Sequence, residues 1–219
     1  MAQRLNISGS KDTTRKPDLA RQKLSTEKRS ISEEKQKQLD KMLSDAASDD
    51  KTKRVERLLK AGANIEAKDS SFSRTALMFA ANNGDTKMCK LLIHEGADLD
   101  IKDDEGKTAL MLAIRKDNLE ICRLLVEKGA NIEARDNDGW TALMWTVWHG
   151  HTETCAFLLE KGASMEKESN DGQTALMIAK AGGKDETAAF LRSMEKLQKS
   201  MEKEGFREFL SSFGECTSQ

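Results

Sequence analysis

The tetrapeptide Thr-Ala-Leu-Met stands at Thr75–Met78, Thr108–Met111, Thr141–Met144 and Thr174–Met177, each copy starting 33 residues after the one before. A Gly-Ala pair keeps the same step at Gly96, Gly129 and Gly162, and Gly62 precedes Gly96 by 34 residues. Self-similarity at a period of about 20–50 residues marks stacked supersecondary units, none of which can bury its apolar face alone. This excludes most folds otherwise open to a chain of 219 residues. Each unit touches only its neighbours, so the core must be a thin continuous strip. Composition agrees: with three Trp, seven Phe, no Tyr and 33% charged residues, the chain has much surface to cover and little deep interior to fill.

One unit shows the plan. From Thr108 to Arg115 the apolar residues Leu110, Met111, Ala113 and Ile114 predict a short amphipathic helix with Thr108 as N-cap. Asp117-Asn118 breaks it, where neighbouring units have Gly84 and Gly150-His151. A second helix is predicted from about Leu119 to Lys128, closed by Gly129 as a left-handed cap. An extended arm follows, and Asn137-Asp138-Gly139 is turn chemistry. Cys89, Cys122 and Cys155 recur at the repeat period and so form one column. Stacked helices lie about 8–10 Å apart, beyond the roughly 7 Å Cα limit for a disulfide. Buried, reduced thiols are therefore expected there, whereas Cys216 lies in the C-terminal tail.

Helix, turn, helix and protruding hairpin, with D-x-D-G, T-A-L, a double leucine and G-A-x in register over residues 38–195, closely resembles the ankyrin repeat. The resemblance implies an all-α repeat fold, an ankyrin-type solenoid of five units at about 38–69, 70–102, 103–135, 136–168 and 169–195. Two departures stand out. Ala76, Ala109, Ala142 and Ala175 replace the family's proline, and Met78, Met111, Met144 and Met177 replace a histidine whose hydrogen bonds tie repeats together. Looser coupling between repeats is expected from the second change. Glu66, Asp100, Glu133 and Glu166 stand where the family often carries an asparagine that can be hydroxylated, so that modification is not supported. Polar residues at columns that are otherwise apolar (Asp45 and Arg57 in the first unit, Lys180 and Arg192 in the last) mark solvent-facing caps.

Residues 1–37 carry ten basic and five acidic side chains with few apolar ones, and are expected to be a largely disordered basic arm, a helix starting only within Glu33–Met42. Ser30 and Ser32 follow the basic pair Lys28-Arg29 and are phosphorylation candidates. Residues 196–219 form a C-terminal extension, where Phe206, Phe209, Leu210 and Phe213 make one apolar stripe expected to fold back on the last repeat or, less favoured, to bind a partner helix. The net charge of −1, the polar N-terminus and the lack of a long apolar run point to a soluble cytoplasmic or nuclear chain with no membrane partner.

No catalytic, cofactor-binding or metal-ligating set emerges. Gly106-Lys107-Thr108 resembles the end of a phosphate loop, but Ile101 stands where that loop needs glycine. His149-Gly150-His151 lacks a Cys/His partner set, and no nucleophile–base spacing recurs. The expected function is instead a protein–protein interaction module, a scaffold or adaptor that is monomeric on its own and binds a folded partner through its concave face and hairpin tips. The alternatives are a regulatory subunit that inhibits an enzyme with its basic arm, and, less favoured, nucleic-acid binding through that arm. In ankyrin arrays two columns point to the concave side: Arg74, Lys107, Trp140 and Gln173 in one, Asn82, Arg115, Trp148 and Ala181 in the other. The partner-binding candidates are accordingly Trp140, Trp148, His149, Arg115, Lys116, Arg74, Lys107 and, in the irregular first hairpin, Phe72. Trp145 shares a column with Phe79, Leu112 and Ile178 and is expected in the core.

Overall fold

The computed structural model describes the backbone of residues 19–200 and the side chains of residues 32–200. Among these residues the chain forms ten helices in five successive pairs. They are α1 (Leu19–Ser48) with α2 (Thr52–Lys60), α3 (Ala76–Asn83) with α4 (Thr86–His94), and α5 (Ala109–Ile114) with α6 (Leu119–Glu127). Then come α7 (Ala142–His149) with α8 (Thr152–Glu160), and α9 (Ala175–Ala181) with α10 (Asp185–Ser200). The expected all-α stack is what forms.

The repeated residues explain the repeated backbone. Thr75, Thr141 and Thr174 sit in extended conformation before their helices, and each hydroxyl accepts the N–H of the methionine three residues on. Thr108 has the same backbone conformation but makes no side-chain cap bond. Each unit needs a left-handed residue between its helices, and Gly84, Gly150 and Gly183 supply it. Asp50 and Asp117 take that conformation at the equivalent positions, which Asp tolerates better than most residues. Ser73 does the same in the first hairpin, where later units have Gly106, Gly139 and Gly172.

The first helices (α3, α5, α7, α9) pack more closely on one another than the second helices do, so the row of first helices lies on the inside of the curve. A continuous core runs between the rows through Leu77, Met88, Leu92, Leu110, Ile121, Leu125, Leu143, Leu158, Ile178 and Leu191. Cys89, Cys122 and Cys155 lie in it as free thiols, and burial pushes each of them up to about 12. Asp45, Arg57, Lys180 and Arg192 are exposed at the two ends, as their columns suggest. Met78, Met111 and Met144 are buried. Met177 is not: it is 53% exposed, because no further repeat covers its face.

Methionine makes no inter-repeat hydrogen bond of the histidine kind, and the hairpins join the units instead. The N–H groups of Asp104, Asn137 and Asn170 donate to the carbonyls of Phe72, Glu105 and Asp138 in the preceding hairpin, at 3.0, 3.1 and 3.0 Å. The amides of Asn137 and Asn170 repeat the step at 2.8 Å, and Lys68 and Lys102 each reach a carbonyl of the next unit. The acids at the asparagine column join in: Glu66, Asp100 and Glu133 accept the N–H groups of Asp98, Asn131 and Ser164. Among the described residues the hairpins contain no strand, only an isolated bridge between Glu168 and Thr174.

One expectation needs correction. Helix α1 begins at Leu19, well before the start expected within Glu33–Met42, so residues 19–37 are helical where disorder was expected. From Leu19 to Gln38 the chain has no Gly or Pro and is rich in Lys, Arg, Glu, Gln, Leu and Ala, which sustain a helix by propensity without an apolar face. Residues 1–18 and the stripe Phe206, Phe209, Leu210, Phe213 lie outside the described residues.

Candidate functional site

Each hairpin opens on a side chain that gathers the backbone of its own return. Asp103 Oδ1 accepts the N–H groups of Glu105 and Lys107, and Asp136 Oδ1 accepts those of Asp138 and Trp140 at 3.0 and 2.8 Å. This Asx geometry leaves each second carboxylate oxygen for another donor. Asp103 Oδ2 takes Arg74 Nε at 3.1 Å, and Asp136 Oδ2 takes the indole N–H of Trp145 at 2.8 Å.

The second bond places an aromatic cluster on the inner face. Trp145 lies against Trp140 with ring centroids 5.0 Å apart, and Trp140 meets Trp148 edge-on at 5.7 Å. His149 stacks on Trp145 at 5.9 Å and His151 on His149 at 5.4 Å. Lys107 Nζ sits 4.6 Å from the centre of the Trp145 ring and 2.9 Å from Glu105, whose carboxyl its hydrogen bond holds below the ordinary range. Partial burial pushes His149 below its usual value, and the charges of His151, Arg115, Lys184 and Lys107 push the same way. These shifts favour the neutral form of His149, and Arg115, Lys107 and Lys184 are the cations that act on it.

Trp145 is not the core residue its column suggests. Leu112 and Ile178 fill that slot at 1% and 2% exposure, whereas the aromatic members of the column, Phe79 and Trp145, are only partly buried against the core. An indole is too large for the slot, and its N–H needs a partner, so the ring lies over the inner face and bonds to Asp136. Trp140 lies between the other two rings and is partly exposed. Trp148 remains 49% exposed.

The structure thus brings Trp140, Trp148, His149 and Lys107 together and adds Trp145 and His151. Arg115 lies close enough to act on the charges of both His149 and Glu105. Lys116 is exposed at the end of α5. Arg74 and Phe72 form a separate group in the first hairpin, the guanidinium 5.0 Å from the ring centre, with Phe72 54% exposed. The side chains of Arg74 and Lys107 are only 11% and 19% exposed, since each is tied to a carboxylate. Ser32 is exposed on α1, and the side chain of Ser30 lies outside the described residues.

Beside Trp148 a pocket of about 300 Å³ is lined by Trp148, His149, Gly182 and Lys184. The concave columns do not include His151 or Lys184, but a third column does contain them. Asp85 and Asn118 cap α4 and α6 through their side chains, while His151, the next in that series, makes no cap bond. Lys184 follows it one period later. A capping column that ends in His and Lys was the available signal.

No helix among the described residues is long and apolar enough to cross a membrane, and no group of three or more His, Cys, Asp or Glu among them could hold a metal ion. The family model described as ankyrin repeats (3 copies) matches residues 43–136 and again residues 133–201. A search of curated proteins finds no match.

Proposed function

The chain belongs to the ankyrin repeat family, and from that premise we propose that it is a scaffold or adaptor that holds a folded protein partner against its inner face. Ankyrin repeats are generally protein–protein interaction modules and typically non-enzymatic. The observation that carries the finer reading is the cluster of Trp140, Trp145 and Trp148 with His149. Three indoles cluster on one unit, one of them 49% exposed, among the first helices and hairpins that line the inner side of the array. Clustered Trp beside Arg and Lys is the make-up of binding hot spots, where truncation costs about 2 kcal/mol or more. The scaffold also suits the task, because a hairpin ladder and a continuous core hold these rings in place without any partner.

The test is affinity capture from the chain's own cells, then titration of the captured protein against Trp148→Ala and Trp140→Ala. Trp148→Ala is expected to weaken binding by about 30-fold, the equivalent of about 2 kcal/mol, with its melting temperature nearly unchanged. A folded Trp148→Ala protein that binds as tightly as the unsubstituted one would remove this face as the site.

A further inference from the structure

The charges around the Trp148 pocket are unevenly matched. Three carboxylates around the cluster are engaged within the molecule. Glu105 is held by Lys107 at 2.9 Å, and Arg74 lies 4.0 Å from it. Asp136 takes two backbone N–H groups and the Trp145 indole, and Asp117 takes His151 Nδ1 and the Thr154 hydroxyl, both at 3.3 Å. The cations are not matched in the same way. Arg115, Lys116 and Lys184 make no ion pair among the described residues, and no carboxylate lines the pocket. His149 Nε2 is buried there with no hydrogen-bond partner.

The fold does not need these cations. At the position before the second helix, Asp85 and Asn118 satisfy a helix N–H with a side-chain oxygen, a bond worth about 1 kcal/mol. His151 and Lys184 replace that oxygen, and Lys184 lies across Gly150 toward Trp148 and His149 instead, its Nζ 3.8 Å from where a Cβ at Gly150 would stand. Lys51 opens the same column in the first unit and likewise makes no side-chain cap bond, so the column holds both capping and non-capping residues along the array.

We propose that this pocket and its rim bind an acidic peptide segment of the partner, with one aromatic or long apolar side chain seated on Trp148 and flanking Asp or Glu carboxylates reaching Lys184, Arg115 and Lys116. The inference rests on the inner face being the partner site and adds the chemistry of the partner. Complementary charge favours it, and a basic segment would meet three unmatched cations of its own sign. Single-stranded nucleic acid also pairs cations with rings, but it needs successive open ring faces. Here Trp140 and Trp145 are partly buried against neighbouring rings, and of the three indoles only Trp148 is exposed.

The experiment pans a random library of peptides of about 12 residues on the full chain. Enriched sequences are then measured as fluorescein-labelled peptides, beside an oligothymidine of similar length. Asp or Glu within about three positions of Phe, Trp or Leu is expected among the enriched peptides. Their affinity should fall about tenfold or more in Arg115→Glu/Lys184→Glu, less in Arg115→Gln/Lys184→Gln, and several-fold as salt rises from about 50 to 300 mM. The glutamine pair, with its thermal melt, keeps the test valid if charge reversal disturbs folding. Peptides that need Trp148 but show no acidic preference and ignore both charge variants would overturn this inference and leave the proposed inner-face site standing. Peptides indifferent to Trp148→Ala would overturn both. Failure to enrich any peptide, or tighter binding of the oligothymidine, would also overturn the acidic-segment inference.

Discussion

Replacing Trp145 by phenylalanine separates two accounts of why that residue matters. A core residue would lose only volume, and phenylalanine would recover most of the packing. In the structure Trp145 is half-buried, and its Nε1 donates to Asp136 Oδ2 at 2.8 Å, while Asp136 is only 7% exposed. Trp145→Phe keeps a ring against Trp140 but leaves that carboxylate oxygen buried without a donor. A hydrogen bond to a charged group contributes about 1.5–3 kcal/mol, so the expected loss is about 2 kcal/mol. For a chain of this size that lowers the melting temperature by about 4–8 °C. Trp145→Ala also removes the contacts with Trp140 and Lys107, and should cost about 3–4 kcal/mol. The assay is urea unfolding followed by circular dichroism on a double-mutant cycle with Asp136→Asn. In the Asp136→Asn background the phenylalanine substitution should cost much less, giving a coupling energy of about 1 kcal/mol or more. A loss under about 0.5 kcal/mol, or one equally large in both backgrounds, would refute the hydrogen-bond account.

Gly139 and Gly172 share a left-handed conformation, at φ 77° and 72°, but not their surroundings. A Cβ at Gly139 would stand 2.8 Å from the backbone nitrogen of Asn170, whereas one at Gly172 meets nothing within 4 Å. Gly172→Ala should therefore cost about 1 kcal/mol from backbone strain alone, and Gly139→Ala about 1–3 kcal/mol more, read by urea unfolding; equal losses would show that the hairpin ladder yields freely. The three core thiols make a pH prediction. Each rises from an ordinary value of 9.0 to about 12 on folding, so the unfolded chain releases its protons first. Their contribution to stability is full below about pH 9 and is lost as pH rises toward 12. Thermal melts should decline in that window and shift less in a Cys89→Ala/Cys122→Ala/Cys155→Ala chain. A thiol reagent at pH 8 should leave all three untouched until urea is added.

The architecture was legible because the repeat is written in residues with one structural job each. Thr before a helix, glycine after one and an Asp or Ser at each hairpin fix the backbone locally, and four copies in register fix how units stack. The start of α1 was not legible, because charged helix formers from Leu19 onward look the same whether the segment is disordered or helical. Trp145 was misplaced for another reason. Column reasoning assigns a site by what its equivalents hold, and Leu112 and Ile178 are apolar and buried. It does not register that an indole exceeds their volume and carries a donor, or that Asp136 offers the matching acceptor nine residues earlier. The columns did single out Trp140, Trp148, Arg115 and Lys107, and structure was needed to show that Lys107 and Arg74 are largely committed to carboxylates inside the molecule.

Hydrogen exchange with and without the captured partner tests the central claim, that the partner sits on the inner face over the aromatic cluster. Partner binding is expected to slow exchange in the hairpin and first helix of the third and fourth units, Asp103–Asp117 and Asp136–His151. Exchange in α4, α6 and α8, which form the outer row, should be unchanged. Protection confined to that outer row, with the segment around Trp140, Trp145 and Trp148 exchanging as in the free protein, would contradict the account.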